Sequence, residues 1–231
     1  MSGIYGRRWC LQTRYWFLAV VAAAALAMMC GCATSTGTKP AAQPLPPPVD
    51  PGPSIARFEN GWEGFIIIER AQLSDAARSD FERAVTMFHE KAYEEAIGLL
   101  ESVTKASPGV TAPHINLGMA YQQLGQLEKA EAQFKAALEL VPDHPVACNQ
   151  YGLLLRKTGR FDEARNIYER ALARFPDYYP LHRNLGILYE FYLNDLNAAL
   201  EHYEIYSQAM QQDDKVKLWI ADLRSRLGET Q

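Results

Sequence analysis

Four polar side chains recur at spacings that suit a binding strip: Asn149, Arg156, Arg183 and Asn184. The step from Asn149 to Arg183 equals the steps from Met119 to Leu153 and from Leu153 to Ile187. An arginine guanidinium is a planar fork of donors that matches a carboxylate. An asparagine amide both donates and accepts, as a peptide backbone does. Met119, Leu153 and Ile187 add apolar surface at the same phase. Such a set offers capture of a peptide or of another protein's helix. An ordinary solvated inner surface, with binding elsewhere, fits the same residue types. Bond-making chemistry has no comparable support. The histidines are His89, His114, His144, His182 and His202, and none stands in an HExxH arrangement or a tight metal-ligand cluster. No GxSxG elbow, phosphate-binding glycine loop or paired-carboxylate motif is present. Glu128, Glu131, Asp162 and Glu163 fall on outward helical positions and read as solvated surface. The expectation is a protein that is not an enzyme and uses no cofactor and no metal.

That same step, about 34 residues, is the period of the elements that would position the strip. Residues 111–144 hold Leu117, Gly118, Tyr121, Ala130, Phe134, Ala137 and Pro142. The pattern returns one period later as Tyr151, Gly152, Leu155, Ala164, Tyr168, Ala171 and Pro176. Shifted the other way it leaves Ala96, Leu100, Val103 and Pro108. Small residues let two helices cross closely, an aromatic fills the space between units, and a proline stops the second helix. This period and pattern resemble the tetratricopeptide repeat, over residues 77 to about 210. Each unit is a pair of antiparallel helices that buries its apolar face only by stacking on the next. The implied fold is all-α: a tetratricopeptide-repeat solenoid of about four helix pairs over residues 75–212, then a C-terminal capping helix and tail over 213–231. In that architecture the second, fifth, ninth and twelfth positions of each first helix line the concave face. Met119, Asn149, Leu153, Arg156, Arg183 and Ile187 occupy such positions, with Asn184 beside them.

The pattern is imperfect at both ends. Ala84 stands where later units have glycine. In the fourth unit Ala199 comes one position later than the period from Ala164 allows, so a single residue is inserted within 192–197. Tyr206 replaces a small residue there. The last helix is expected to bury Val216, Trp219, Ile220, Leu223 and Leu227, with Asp214 as N-cap and Lys215, Lys217, Arg224 and Arg226 facing away. Cys148 falls on a core position and reads as a buried, inert thiol. Residues 54–74 form an extended segment before the repeats. Its run Phe65–Ile68 is β-branched and aromatic and needs a strand partner. It either packs across the first helix pair or adds to a partner's sheet. Trp62 either covers the open end of the stack or is an exposed contact.

The segment 1–31 contains Arg7, Arg8 and Arg14, no acid, and an apolar run over 15–29. That run is short for a membrane span, which needs about 20 residues, and fits a signal-peptide core. The tetrapeptide Met29-Cys30-Gly31-Cys32 resembles a bacterial lipobox. The resemblance implies cleavage after Gly31 and lipidation of Cys32, tethering the chain to a membrane; an uncleaved signal anchor is the alternative. Ala33 in place of aspartate implies the outer membrane, facing the periplasm. Residues 32–53 then form a disordered proline-rich tether, whose seven prolines favour extended backbone. After loss of Cys10, Cys30 and the lipidated Cys32, Cys148 has no disulfide partner.

The formal charge is −4, and without the three N-terminal arginines 20 basic side chains face 27 acidic ones. An acidic surface argues against a nucleic-acid partner, which favours a basic stripe. The runs FIIIE (65–69), HINLG (114–118), YGLLLRKTGRFDEA (151–164), ALEHYEIY (199–206) and WIADLRSR (219–226) resemble a group of proteobacterial repeat lipoproteins. That resemblance implies a scaffold or adaptor beside ExbB, ExbD and TonB-like components of the envelope. The second resemblance is to the repeat lipoproteins that pilot pilus secretins, and it implies a pilotin-like assembly factor. Both imply another envelope protein, or a peptide segment of one, as partner.

Overall fold

The computed structural model describes residues 54–57, 65–68 and 72–229. The leader 1–31, Cys32, the tether 32–53 and Trp62 lie outside the described residues. Strands β1 (Ser54–Arg57) and β2 (Phe65–Ile68) pair antiparallel, with Ser54 opposite Ile68 and Arg57 opposite Phe65. The run at 65–68 therefore pairs within its own segment, and Ile67 packs on the helical core. The partner strand has no alternating apolar pattern, so nothing in its residues announces it.

Nine α-helices follow among the described residues: α1 (Asp75–His89), α2 (Tyr93–Ala106), α3 (Thr111–Gln123), α4 (Leu127–Leu140), α5 (Pro145–Lys157), α6 (Phe161–Arg174), α7 (Tyr179–Leu188), α8 (Leu196–Ala209) and α9 (Asp214–Arg226). Each first helix packs on its own second helix and on the second helix of the unit before. The first helices α1, α3, α5 and α7 also touch one another in series, so they form one continuous side of the stack.

The pairs are set by a ring lying on a glycine. A Cβ added at Gly118 would lie 2.6 Å from Phe134 Cε1. At Gly152 it would lie 2.1 Å from Tyr168 Cε1, and at Gly186 2.4 Å from Tyr203 Cδ1. All three rings are 0% exposed, so none can retreat. The first unit makes the opposite trade. Ala84 supplies a methyl group, and the residue in the aromatic position is the smaller Leu100; both are buried in the core.

Each turn from first to second helix contains one left-handed residue: Lys91, Gly125, Gly159 and Asn194. Gly125 has φ 72°, a conformation that costs an L side chain roughly 1–2 kcal/mol. The extra residue of the fourth unit is absorbed as a π-helical turn, Tyr189–Leu193, at the end of α7. One added residue widens the ring from i−4 to i−5, and such turns often mark function. The Asp195 amide then reaches the Tyr189 carbonyl at 3.0 Å, and the Asp195 carboxylate caps α8 through the Ala198 amide at 3.0 Å.

The core among the described residues includes a large cluster running through α7, a small one of Ile115, Ala137 and Ala147, and one built by α8 and α9, with Tyr179 and Tyr189 packed against both the first and the last. The residue N-terminal to α9 is Asp213 rather than Asp214, and no side chain caps it. The Asp213 carboxylate instead accepts from the Tyr206 hydroxyl at 3.1 Å. Arg224 and Arg226 do not simply face away. They reach Glu204 at 2.6 Å and Glu190 at 2.7 Å.

Gly152→Leu is expected to lower stability by about 1–3 kcal/mol or more, since the ring it meets cannot move. Gly125→Ala is expected to cost roughly 1–2 kcal/mol through its positive φ alone, with no steric term. Urea denaturation of the two variants beside the parent reads both effects.

Candidate functional site

The first helices carry the strip read from the sequence. Met119 on α3, Leu153 and Arg156 on α5, and Arg183 and Ile187 on α7 are all partly exposed. Asn149 and Asn184 are not open to a ligand in the same way. Both are buried, and the Asn184 amide donates to Asn149 Oδ1 at 2.7 Å, joining α7 to α5. Met119 packs, with Leu138 and Val146, against the small cluster of Ile115, Ala137 and Ala147.

The two arginines differ from the other ion-paired ones. The Arg156 guanidinium lies 6.0 Å from the Tyr192 ring centre, and its buried Nη1 has no hydrogen-bond partner in the protein. Arg183 lies over Trp219 at 5.4 Å. Its Nε is buried, with Asp213 at 4.0 Å, too far for a hydrogen bond. Gln122 Oε1 and the Tyr168 hydroxyl are likewise buried without a protein partner. Unpaired buried donors on charged groups are costly, so they favour an incoming acceptor. Glu190, from the π-helical turn, is spoken for by Tyr203 at 3.0 Å and Arg226 at 2.7 Å.

The tetratricopeptide-repeat family model matches residues 110–177 and again residues 145–212. Over that stretch the helix pairs follow the tetratricopeptide-repeat pattern, within an all-α solenoid of that type. The chain is similar in fold to the solved MamA (41-end) from Desulfovibrio magneticus RS-1, at TM-score 0.57 and 20% identity, covering 68% of this chain and 88% of that one. It is also similar to pilF of Pseudomonas aeruginosa, at TM-score 0.62 and 20% identity, covering 67% and 70%. At that identity the likeness is one of fold. The mouse protein O-mannosyl-transferase TMTC3 is 26% identical over 147 residues, 57% of this chain. The chain spans only 16% of that relative's length. Repeats of this kind stack into extended surfaces of the sort that hold another protein. Among the described residues no three His, Cys, Asp or Glu side chains are disposed to hold a metal ion.

Polar contacts between repeats place several residues the sequence left as surface. Tyr121 donates to Glu101 at 2.6 Å, and Tyr189, two repeats on, donates to Glu169 at 2.8 Å. Between them Glu131 is a hub rather than a solvated acid. It accepts from Arg160 at 2.8 Å and Tyr151 at 2.7 Å, and it pairs with Lys135 at 2.8 Å. Burial works against its charge, but the Arg160, Lys135 and Tyr151 contacts outweigh it and hold the carboxyl at about 2. Burial pushes the Cys148 thiol up to about 12, with Asp143 adding to it, so this thiol is inert.

The histidines divide into capping and packing roles. His144 Nδ1 accepts from the Ala147 amide and caps α5. His114 meets Gln133 at 2.8 Å. His182 and His202 face each other at 2.9 Å through their Nδ1 atoms, and Tyr189 stacks on His202. In the Nδ1 contact one ring nitrogen donates and the other accepts. Their spacing of 20 residues crosses a turn, so only the folded pair brings them together.

Burial, and then the charge of His182, hold His202 down to about 4. Burial also lowers His182. A histidine held below its ordinary value contributes stability that is complete above about pH 6.5 and is lost as pH falls through the folded value. Urea midpoints are therefore expected to decline from about pH 6.5 towards 4, and His202→Phe to flatten that stretch of the profile. Proton NMR of the two imidazoles reads the same change site by site.

Proposed function

We propose that this protein is a lipid-anchored adaptor of the cell envelope that holds an acidic peptide segment of another envelope protein on its concave strip. The observation that carries the reading is the pair Arg156 and Arg183, partly exposed on successive first helices, each with an N–H that makes no hydrogen bond in the protein, Asp213 standing 4.0 Å from that of Arg183. Leu153 and Ile187 lie beside them and bury the partner's apolar side chains. Asn149 and Asn184 contribute by fixing α5 against α7, which holds the arginines at a set separation. Two roles in the envelope remain: assembly factor of the pilotin kind, or accessory of a TonB/ExbB/ExbD-type energy-transducing complex. The assembly-factor role takes precedence because pilF offers it a solved counterpart in fold. The anchor is Cys32, on the outer membrane and facing the periplasm, with residues 32–53 as tether.

Two experiments test the parts separately. Cys32→Ser should block processing and leave the leader attached, and mass spectrometry of the mature N-terminus checks it. Arg156→Gln with Arg183→Gln should weaken capture of the crosslinked partner by about tenfold or more, the scale of a lost charge-assisted hydrogen bond. The melting temperature should stay near that of the parent. Lys135 is unsuitable as a control because it pairs with Glu131. Lys105→Glu with Lys129→Glu, both exposed on second helices, should leave capture intact. Raising the salt should weaken the parent more than the glutamine variant.

A further inference from the structure

Helix α9 is built as a fifth first helix. Its buried Val216, Ile220 and Leu223 repeat the buried Leu181, Leu185 and Leu188 of α7 at one constant step, the period plus the inserted residue. Arg224 meets Glu204 of α8 as Tyr189 meets Glu169 and Tyr121 meets Glu101, each across 20 residues. Its end also matches. Gly228 has φ 78°, beside 72° at Gly125 and 78° at Gly159. The Glu229 amide donates to the Arg224 carbonyl at 2.9 Å, as Gln126 does to Tyr121 at 2.9 Å and Arg160 to Leu155 at 2.8 Å. In the second and third units that same turn leads into a second helix, α4 and α6.

On α9 the corresponding place is an open cleft of about 410 Å³, lined by Glu204 and Ser207 of α8 and by Lys217, Ile220, Ala221 and Arg224 of α9. One unit earlier, the residues equivalent to Lys217, Ala221 and Arg224 are His182, Gly186 and Tyr189. Those are covered by α8, with Tyr203 on Gly186 and His202 against His182 and Tyr189. The cleft thus continues, one repeat on, the seam in which α2, α4, α6 and α8 lie. Ala221 forms its exposed floor. A ring placed as on the three glycines would meet the Ala221 methyl group, whereas Leu100 occupies that place in the unit whose floor is Ala84. The repeat sets the direction: an antiparallel second helix brings its first turn to the last turn of α9, where Arg224 and Arg226 already meet Glu204, Glu190 and Asp222. In α4 and α6 the first turn of the second helix carries Glu128, and Asp162 with Glu163. In α2 that turn carries Glu94 and Glu95.

We infer that the α8–α9 cleft docks an amphipathic helix of another protein, one with an acidic first turn and a small residue followed four positions later by leucine. This surface is separate from the concave strip and does not depend on it.

The probe is a fluorescein-labelled peptide with the sequence of α2, residues 93–106, titrated against the full chain by fluorescence anisotropy. Saturable binding is expected, weakened at least tenfold by Leu100→Ala in the peptide or by Ala221→Phe in the protein. Ala221 is exposed, so Ala221→Phe should keep the parent's melting temperature; Ser207→Tyr closes the cleft from the other wall. Ala221→Gly should invert the preference, making a Leu100→Phe peptide the tighter ligand. No saturation by about 1 mM, or unchanged affinity in both cleft-filling variants, overturns the inference. A dimer in sedimentation that Ala221→Phe dissolves also overturns it, since the occupant is then a second copy.

Discussion

The contact between an aromatic ring and a bare helix backbone sets this structure. Gly118, Gly152 and Gly186 let Phe134, Tyr168 and Tyr203 lie where a Cβ would otherwise be. That approach fixes the spacing within each pair, and the spacing fixes how the next first helix seats on the previous second helix. Successive first helices then touch, and their exposed positions become one surface instead of scattered points. The strip bearing Arg156 and Arg183 is a consequence of core packing several residues away. Where the ring is missing, in the first unit, a methyl group at Ala84 accompanies a smaller side chain at Leu100, and the same stacking continues.

Polar groups between the units refine that arrangement. Buried Asn149 and Asn184 satisfy each other, and Glu131 gathers Tyr151, Lys135 and Arg160 at one joint. These contacts fasten neighbours without adding much apolar area. The arginines of the proposed strip are held by looser contacts, Arg156 against the Tyr192 ring and Arg183 against Trp219 with Asp213 at 4.0 Å. A ligand meeting them orders few side chains on arrival, which is the physical content of preorganisation.

The fold was legible because its period is written in side-chain size: small at Gly152, large at Tyr168, small at Ala164 and Ala171. Even the inserted residue could be counted from the late arrival of Ala199. Its form as a π-helical turn could not, because counting does not say whether a helix widens or a loop lengthens. Positions were more legible than partners. The phase that aligned Asn149 with Arg183 gave no warning that Asn149 and Asn184 would choose each other. Glu131 looked solvated because two of its partners, Tyr151 and Arg160, lie 20 and 29 residues away, beyond its own helix. His182 and His202 seemed unrelated until a turn folded them together. The first strand was hidden by its short, mixed composition. The sequence also suggested Asp214 as the cap, whereas Asp213 takes that place and engages Tyr206.

The separate cluster at the end of the stack has a mechanical side. In a stack where each unit contacts only its neighbours, strain travels along the chain and releases at the weakest joint. Here α8 and α9 carry their own cluster, and Tyr179 and Tyr189 are packed against both it and the rest. Yet Tyr203 on Gly186 and His202 against His182 and Tyr189 lock α8 to α7, so the joint that yields first is the thinner one between α8 and α9. A load applied at the last helix is absorbed there first. The earlier part of the strip, with Met119, Leu153 and Arg156, keeps its shape while the end yields.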